Sequence, residues 1–252
     1  MKTFAKQVID YASWKDALCS AYSKTGKTDK WKRGRSAESL AYDFVGPNPT
    51  GEYSIKKMIS AFLETDEIEF EYSHIEHPSV FDDYPRPRMQ DLAIWGRVLG
   101  KRFFVGIEAK VDEEFGSNSV YQQEEYVKSL IKSNTPTEAD KRLAELKRDF
   151  LTGTSEDDLK KLRYQLLYYL AGSIREPNTD ITFMPVIVYE SRGKKFKVYS
   201  ESKGRNNKTA YLDFMRIMGF RRREDLENDE MIFAFENTDS WGKNVYSCYI
   251  VK

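Results

Sequence analysis

Asp91, Glu108 and Lys110 fall within one short stretch, Asp91 preceding Glu108 by seventeen positions and Lys110 by nineteen. Side chains two apart on a strand share a face, so Glu108 and Lys110 are expected side by side. A carboxylate and an ammonium inside an apolar strand lose hydration unless they pair or bind something. Asp91 and Glu108 offer hard oxygen ligands, and the Ala109 backbone carbonyl lies beside them, a combination that suits Mg²⁺ or Mn²⁺. Such a metal activates a water and neutralises charge on a phosphorus centre. Lys110 then serves as a compact cation that orients the nucleophile or screens the transition state. The chemistry to which this points is phosphodiester hydrolysis. The plainer alternative is a strand-end salt bridge, with Asp91 an unrelated turn residue.

These residues need a scaffold. Two apolar runs rich in β-formers, Leu92 to Trp95 and Phe103 to Ile107, flank a basic connection from Arg97 to Arg102, with Gly96 and Gly100 marking the reversal. That pattern predicts a β-hairpin over 87–110. Before it, Ser36 is a suitable N-cap for a helix over 37–45, stopped by Gly46-Pro47-Asn48-Pro49. Glu38 sits in that helix's first turn, where the helix dipole favours a carboxylate. A second amphipathic helix is predicted over 52–64, and the alternation of Ile68 to Tyr72 predicts a strand.

After the hairpin, helices are expected at 119–133, 137–151 and 156–174. Gln165 and Tyr169, four apart, share a face of the third. The apolar run 180–190 predicts a buried strand, which Pro185 pushes towards a strand start or an edge. A helix over 208–219 and strands at 194–199, 231–235 and 245–251 complete the reading. At the other end, 2–23 has helical apolar spacing, and a basic linker follows, holding Lys32, Arg33 and Arg35. The linker reads either as a solvated loop or as a phosphate-contacting arm.

The 252 residues fit one domain with an elaboration. Its 40 basic and 40 acidic residues cancel, but unevenly. From Arg192 to Arg223 there are eleven basic residues, Lys194, Lys195, Lys203 and Arg205 among them, against Glu201 and Asp213 alone. A local excess of +9 in a neutral chain points to a polyanionic ligand. Cys19 and Cys248 are too few for a disulfide framework or a thiolate zinc site. His74 and His77 are the only histidines; with no third ligand evident they read as a strand-end pair without catalytic duty. Hydrolases built on a catalytic histidine are therefore a poor match. No apolar stretch reaches membrane-spanning length, and no signal-peptide core opens the chain. A cytoplasmic location and no membrane partner are expected.

The stretch Gln90-Asp91 followed by Glu108-Ala109-Lys110 resembles the PD-(D/E)XK nuclease superfamily, which includes restriction endonucleases and RecB-type exonucleases. Gln90 stands where the motif has its proline, and Pro87 lies three residues earlier. The resemblance covers roughly 36–190 and implies an α/β fold: a restriction-endonuclease-like mixed central sheet flanked by helices. Residues 1–35 would precede this core, and 191–252 would add a C-terminal α/β elaboration. It further implies that Glu38, in the context Ser-Ala-Glu-x-Leu-Ala, joins Asp91, Glu108 and the Ala109 carbonyl around the metal. Gln165 and Tyr169 resemble the Q-x-x-x-Y signature of RecB-like members. There Gln165 would reach the site's water or the DNA backbone, with Tyr169 beside nucleic acid. In isolation the same pair reads as a surface glutamine next to a core tyrosine.

The function expected is Mg²⁺-dependent cleavage of nucleic acid, DNA rather than RNA, in restriction, phage defence or repair. Paired scission of a duplex would favour a homodimer. The principal alternative is a catalytically inactive member that keeps the fold to bind nucleic acid or a protein partner. Phosphoester hydrolysis of free nucleotides is disfavoured, because a small substrate needs no extended positive surface.

Overall fold

The computed structural model describes residues 2–4, 7–9, 13–16, 35–85, 87–111, 113–190, 201–238 and 240–252. A short hairpin of β1 (Lys2–Phe4) and β2 (Gln7–Ile9) stands apart from the main sheet. The helix expected over 2–23 is thus replaced by strands at its start. Phe4 and Val8 belong to the helical stripe but are also β-formers, as are Thr3 and Ile9 beside them, so spacing alone did not decide between the two. Next come α1 (Ser36–Val45) and α2 (Gly51–Leu63), then β3 (Ile68–Ser79), β4 (Arg88–Val98) and β5 (Lys101–Lys110). Four helices follow: α3 (Val120–Lys132), α4 (Ala139–Phe150), α5 (Glu156–Lys161) and α6 (Tyr164–Ile174). The chain ends with β6 (Ile181–Val188), α7 (Glu201–Ile217), β7 (Arg221–Arg222), β8 (Met231–Asn237) and β9 (Asn244–Val251).

Among the described residues the main sheet is open, mixed and seven-stranded, in the order β3-β4-β5-β6-β9-β8-β7, and only β5–β6 and β6–β9 run parallel. The C-terminal strands were expected to belong to an elaboration of the core. β8 and β9 pair with each other, but β9 also joins β6, so one sheet runs through both regions. Each face carries its own core. On one side α1 and α2 set Leu40, Phe44, Ile55 and Ile59 against Ile94, Val105, Ile107 and Phe183. On the other, α3 to α7 set Leu146, Leu166, Leu170 and Phe214 against Met184, Val186, Val188 and Tyr249. Burial of all eight β6 residues between these layers explains why that strand reads as a continuous apolar run.

The hairpin turn is tight. Leu99 (φ 50°) and Gly100 (φ 74°) occupy the left-handed region, the conformation a two-residue turn between twisted strands requires. Gly96, expected to mark the reversal, lies instead inside β4, and a Cβ there would stand 2.1 Å from the Glu69 carbonyl oxygen. Its smallness serves the close approach of β3.

Two further expectations change. The helix expected over 156–174 breaks at Leu162 and Arg163, which are extended (ψ 114° and 126°). There the chain bonds sideways: Val120 N donates to Leu162 O at 2.8 Å and Tyr164 N to Asn118 O at 3.1 Å. Gln165 therefore opens a new helix rather than lying in the middle of a long one. Pro185 is not at an edge; β6 is bonded on both sides. The β5–β6 ladder lacks two rungs, Gly106 with Met184 and Ile107 with Pro185, both of which need an N–H at position 185. The Tyr169 hydroxyl supplies the missing proton, donating to Gly106 O at 2.5 Å, with Pro185 O 3.1 Å away.

Candidate functional site

The site forms where the sheet splits. The β4–β5 ladder ends at Leu92 with Ile107, while β4 goes on pairing with β3 as far as Arg88, and β5 with β6 as far as Lys110. The two strands thus diverge into a fork. On β5, Phe103, Val105, Ile107 and Ala109 fill the α1/α2 core. Alternation turns Glu108 and Lys110 to the α6 face. On β4 the alternation fails at Asp91. Leu92 packs in the α1/α2 core, yet Gln90, two residues earlier, donates to Ser173 of α6 at 3.3 Å. Opposite Asp91 the β3 ladder also skips a rung, at Glu76, whose φ is 52°. This local twist turns Asp91 sideways into the fork, where its Oδ2 accepts the Ala109 N–H at 2.7 Å. The carboxylate replaces the rung that β4 no longer supplies.

Glu108 is almost fully enclosed, with three donors on its two oxygens. Oε1 accepts Gln165 Nε2 at 2.7 Å and Lys110 Nζ at 2.8 Å, and Oε2 accepts Arg88 Nη2. The expected trio and Gln165 are therefore brought together around one peptide unit. Burial raises the Asp91 carboxyl above its ordinary pKa, against the opposing pull of Lys110, Arg88 and the Ala109 amide. Burial likewise lowers Lys110, against Glu113 and Asp91, which favour its charged form. Its ammonium also lies 5.7 Å from the Phe115 ring centre.

Arg88 is the site residue that sequence reasoning missed. It lies twenty positions from Glu108 and meets it only because the fork brings the start of β4 across the end of β5. Its guanidinium carbon stands 5.6 Å over the Tyr169 ring. Gly172 makes room for its stem, since a Cβ there would lie 3.1 Å from both Arg88 Cβ and Cγ. The one available signal was an arginine three residues before the motif's aspartate.

Other candidates have different surroundings. Glu38 lies half-buried in the first turn of α1. That turn touches the site's margin, because Ser36 Oγ donates to Glu113 Oε1 at 2.6 Å. Tyr169, expected beside nucleic acid, is 1% exposed and spends its hydroxyl on the sheet. Arg35, Lys203 and Arg205 are exposed. α7, which carries the last two, is tied to the loop after Lys110 by Asn206 to Glu114 (2.9 Å) and by Asn207 to the Glu113 carbonyl (2.8 Å). Lys32, Arg33, Lys194, Lys195 and the strand expected at 194–199 lie outside the described residues. The end of the basic stretch is neutralised internally. Arg216 pairs with Asp158, Arg222 with Glu227, and Arg221 and Arg223 with Glu236.

His74 and His77 lie on β3 in an aromatic cluster with Tyr72 and Trp95; the His77 ring stands edge-on to Trp95 at 4.8 Å. Burial and the neighbouring His77 lower the pKa of His74. His77 Nε2 lies 3.3 Å from Glu176.

Asp91, Glu108 and the Ala109 carbonyl are hard oxygen donors of the kind Mg²⁺ takes. Among the described residues no cluster of three or more His, Cys, Asp or Glu side chains could hold a metal ion. What the site displays is a carboxylate already ion-paired, with the Arg88 guanidinium on Glu108 Oε2 and the Lys110 ammonium on Oε1. Among the described residues no helix is long and apolar enough to cross a membrane.

Fold and site together define a mixed α/β protein with an open, helix-flanked sheet and a buried acid–base cluster at a strand fork. A family model described as a domain of unknown function, DUF6946, matches residues 9–246, and the chain belongs to that family. No curated protein and no solved structure gives a match.

Proposed function

We propose that this protein is a metal-dependent nuclease of the PD-(D/E)XK type, hydrolysing phosphodiester bonds of nucleic acid, DNA in preference to RNA. The observation that carries the reading is the fork: Asp91, Glu108, Lys110 and Gln165, spread over seventy-five residues of sequence, meet around the Ala109 peptide. Asp91, Glu108 and the Ala109 carbonyl would hold Mg²⁺ or Mn²⁺, and the family resemblance would add Glu38 from the first turn of α1. When bound, such an ion lowers the pKa of a water and offsets charge developing on phosphorus.

The chain's own groups do the rest. Lys110, anchored on Glu108, holds the attacking water or screens the charge gathering on the phosphoryl oxygens. Gln165 fixes the Glu108 carboxylate from the opposite element, so its orientation does not depend on strand motion. The Ala109 amide keeps Asp91 aimed into the fork. Lys203 and Arg205 of α7 would contact backbone phosphates beside the site.

A second reading, a catalytically inactive nuclease fold that binds nucleic acid or a protein, has its own support: both Glu108 oxygens already have partners within the chain. Incubation of wild type and Lys110→Ala with plasmid and single-stranded DNA, with and without Mg²⁺ or Mn²⁺, separates the two. Metal-dependent cutting by wild type alone is expected. Equal cutting by both proteins would end the catalytic proposal, and binding without cutting would favour the inactive one.

A further inference from the structure

The contact between Arg88 and Glu108 has more to it than charge balance. Arg88 opens β4 at the wide end of the fork, where no β5 rung remains and, among the described residues, Ser79 is its one strand partner. Its side chain is 11% exposed and its Nε is buried without a hydrogen-bond partner. An orphaned buried donor is unfavourable, so this arginine is not seated in a fully complementary structural niche. Glu108, in turn, has two cations on one carboxylate, although Lys110 and Gln165 alone would occupy Oε1. Oε2, the oxygen that Arg88 covers, has no other hydrogen-bond or ion-pair partner among the described residues. A divalent cation sharing Glu108 with Asp91 needs such an oxygen, and the charge of a guanidinium beside it would oppose its binding.

The geometry points to Arg88 as a resident cation of the Glu108 site, one that a divalent metal ion must displace from Oε2 in order to bind. The inference rests on the metal site proposed above and adds a form of regulation to it: the site is closed by an internal competitor. The apparent affinity of a metal for such a site falls with the fraction of molecules in which the competitor is off. Gly172 and the Tyr169 ring form the remaining walls around the guanidinium stem, so the side chain has a defined resting place.

Mn²⁺ binding by titration calorimetry, without nucleic acid, tests this for wild type, Arg88→Met, Arg88→Gln and Arg88→Lys. The neutral variants should bind Mn²⁺ about tenfold tighter or more, about 1.4 kcal/mol per tenfold, while Arg88→Lys stays close to wild type. Arg88→Gln keeps a donor for Oε2 and guards against a fold lost through removal of polarity. Glu108→Gln placed on Arg88→Gln should abolish the gain; if the gain persists, the ion is bound elsewhere and the inference fails. Equal or weaker binding by both neutral variants overturns the competitor role while leaving the metal site standing. No Mn²⁺ binding by any folded variant removes the metal site, and the competitor role with it.

Discussion

Replacing Tyr169 by phenylalanine removes one oxygen from a site with no water access and leaves the ring in place. The oxygen donates to Gly106 O, a carbonyl that Pro185 cannot serve. An unsatisfied buried carbonyl costs about 1–3 kcal/mol. For a chain of this size each kcal/mol moves Tm by about 2–4 °C, so a loss of several degrees is expected. Pro185→Ala returns an N–H to that rung, at a cost of up to about 1 kcal/mol through a freer unfolded chain. The two substitutions should then compensate. With both present, the new amide serves Gly106, and the combined loss should fall short of the sum of the single losses by about 1 kcal/mol or more. Urea unfolding of the four proteins in this cycle, followed by circular dichroism, measures the coupling. Losses that add within about 0.5 kcal/mol would show that the hydroxyl does not stand in for the missing amide, and the account of Pro185 would fall.

Other outcomes follow from the same structure. Gly96→Ala places a methyl group against the Glu69 carbonyl and the Phe103 ring; overpacking of this kind costs about 1–3 kcal/mol, read as a lower urea midpoint, and an unchanged midpoint would contradict the close strand approach. Asp91 has a folded pKa above its unfolded value near 3.8, so the folded chain holds more protons in that window and stability falls as pH rises through it. Asp91→Asn, in chelator-treated buffer, should therefore be more stable than wild type at pH 7, with the advantage shrinking towards pH 4; lower stability at pH 7 would reverse the sign of the burial argument. The Cys248 thiol is fully buried and its pKa pushed up by that burial. In a Cys19→Ser background it should ignore a thiol-specific disulfide reagent until denaturant is added.

What could be read from the sequence was what lies in local patterns. The hairpin that holds Asp91, Glu108 and Lys110 declared itself because strand period and turn residues act over a few positions. Gln165 and Tyr169 were placed on one helix by their spacing, but their duties diverge: one serves the carboxylate and the other the sheet. That division depends on Pro185, whose effect on a neighbouring strand has no local signature. Arg88 was missed for a similar reason, since only the splitting of two strands lays it across Glu108. The basic excess between Arg192 and Arg223 is a count, and its last four arginines are paired with acids. Asp158, Glu227 and Glu236 lie outside that window in sequence and against its arginines in space.

The position of β9 bears on how the polypeptide matures. β9, made well after β6, is seated between β6 and β8, away from either margin of the sheet. Until it arrives, β6, with seven apolar residues among its eight, would present an open row of amides and carbonyls to any passing strand. Its pairing with β9 spans sixty-three residues, from Ile181 to Asn244, the kind of distant closure that slows folding. A nascent or C-terminally clipped chain should therefore be the aggregation-prone species, whatever the stability of the finished protein.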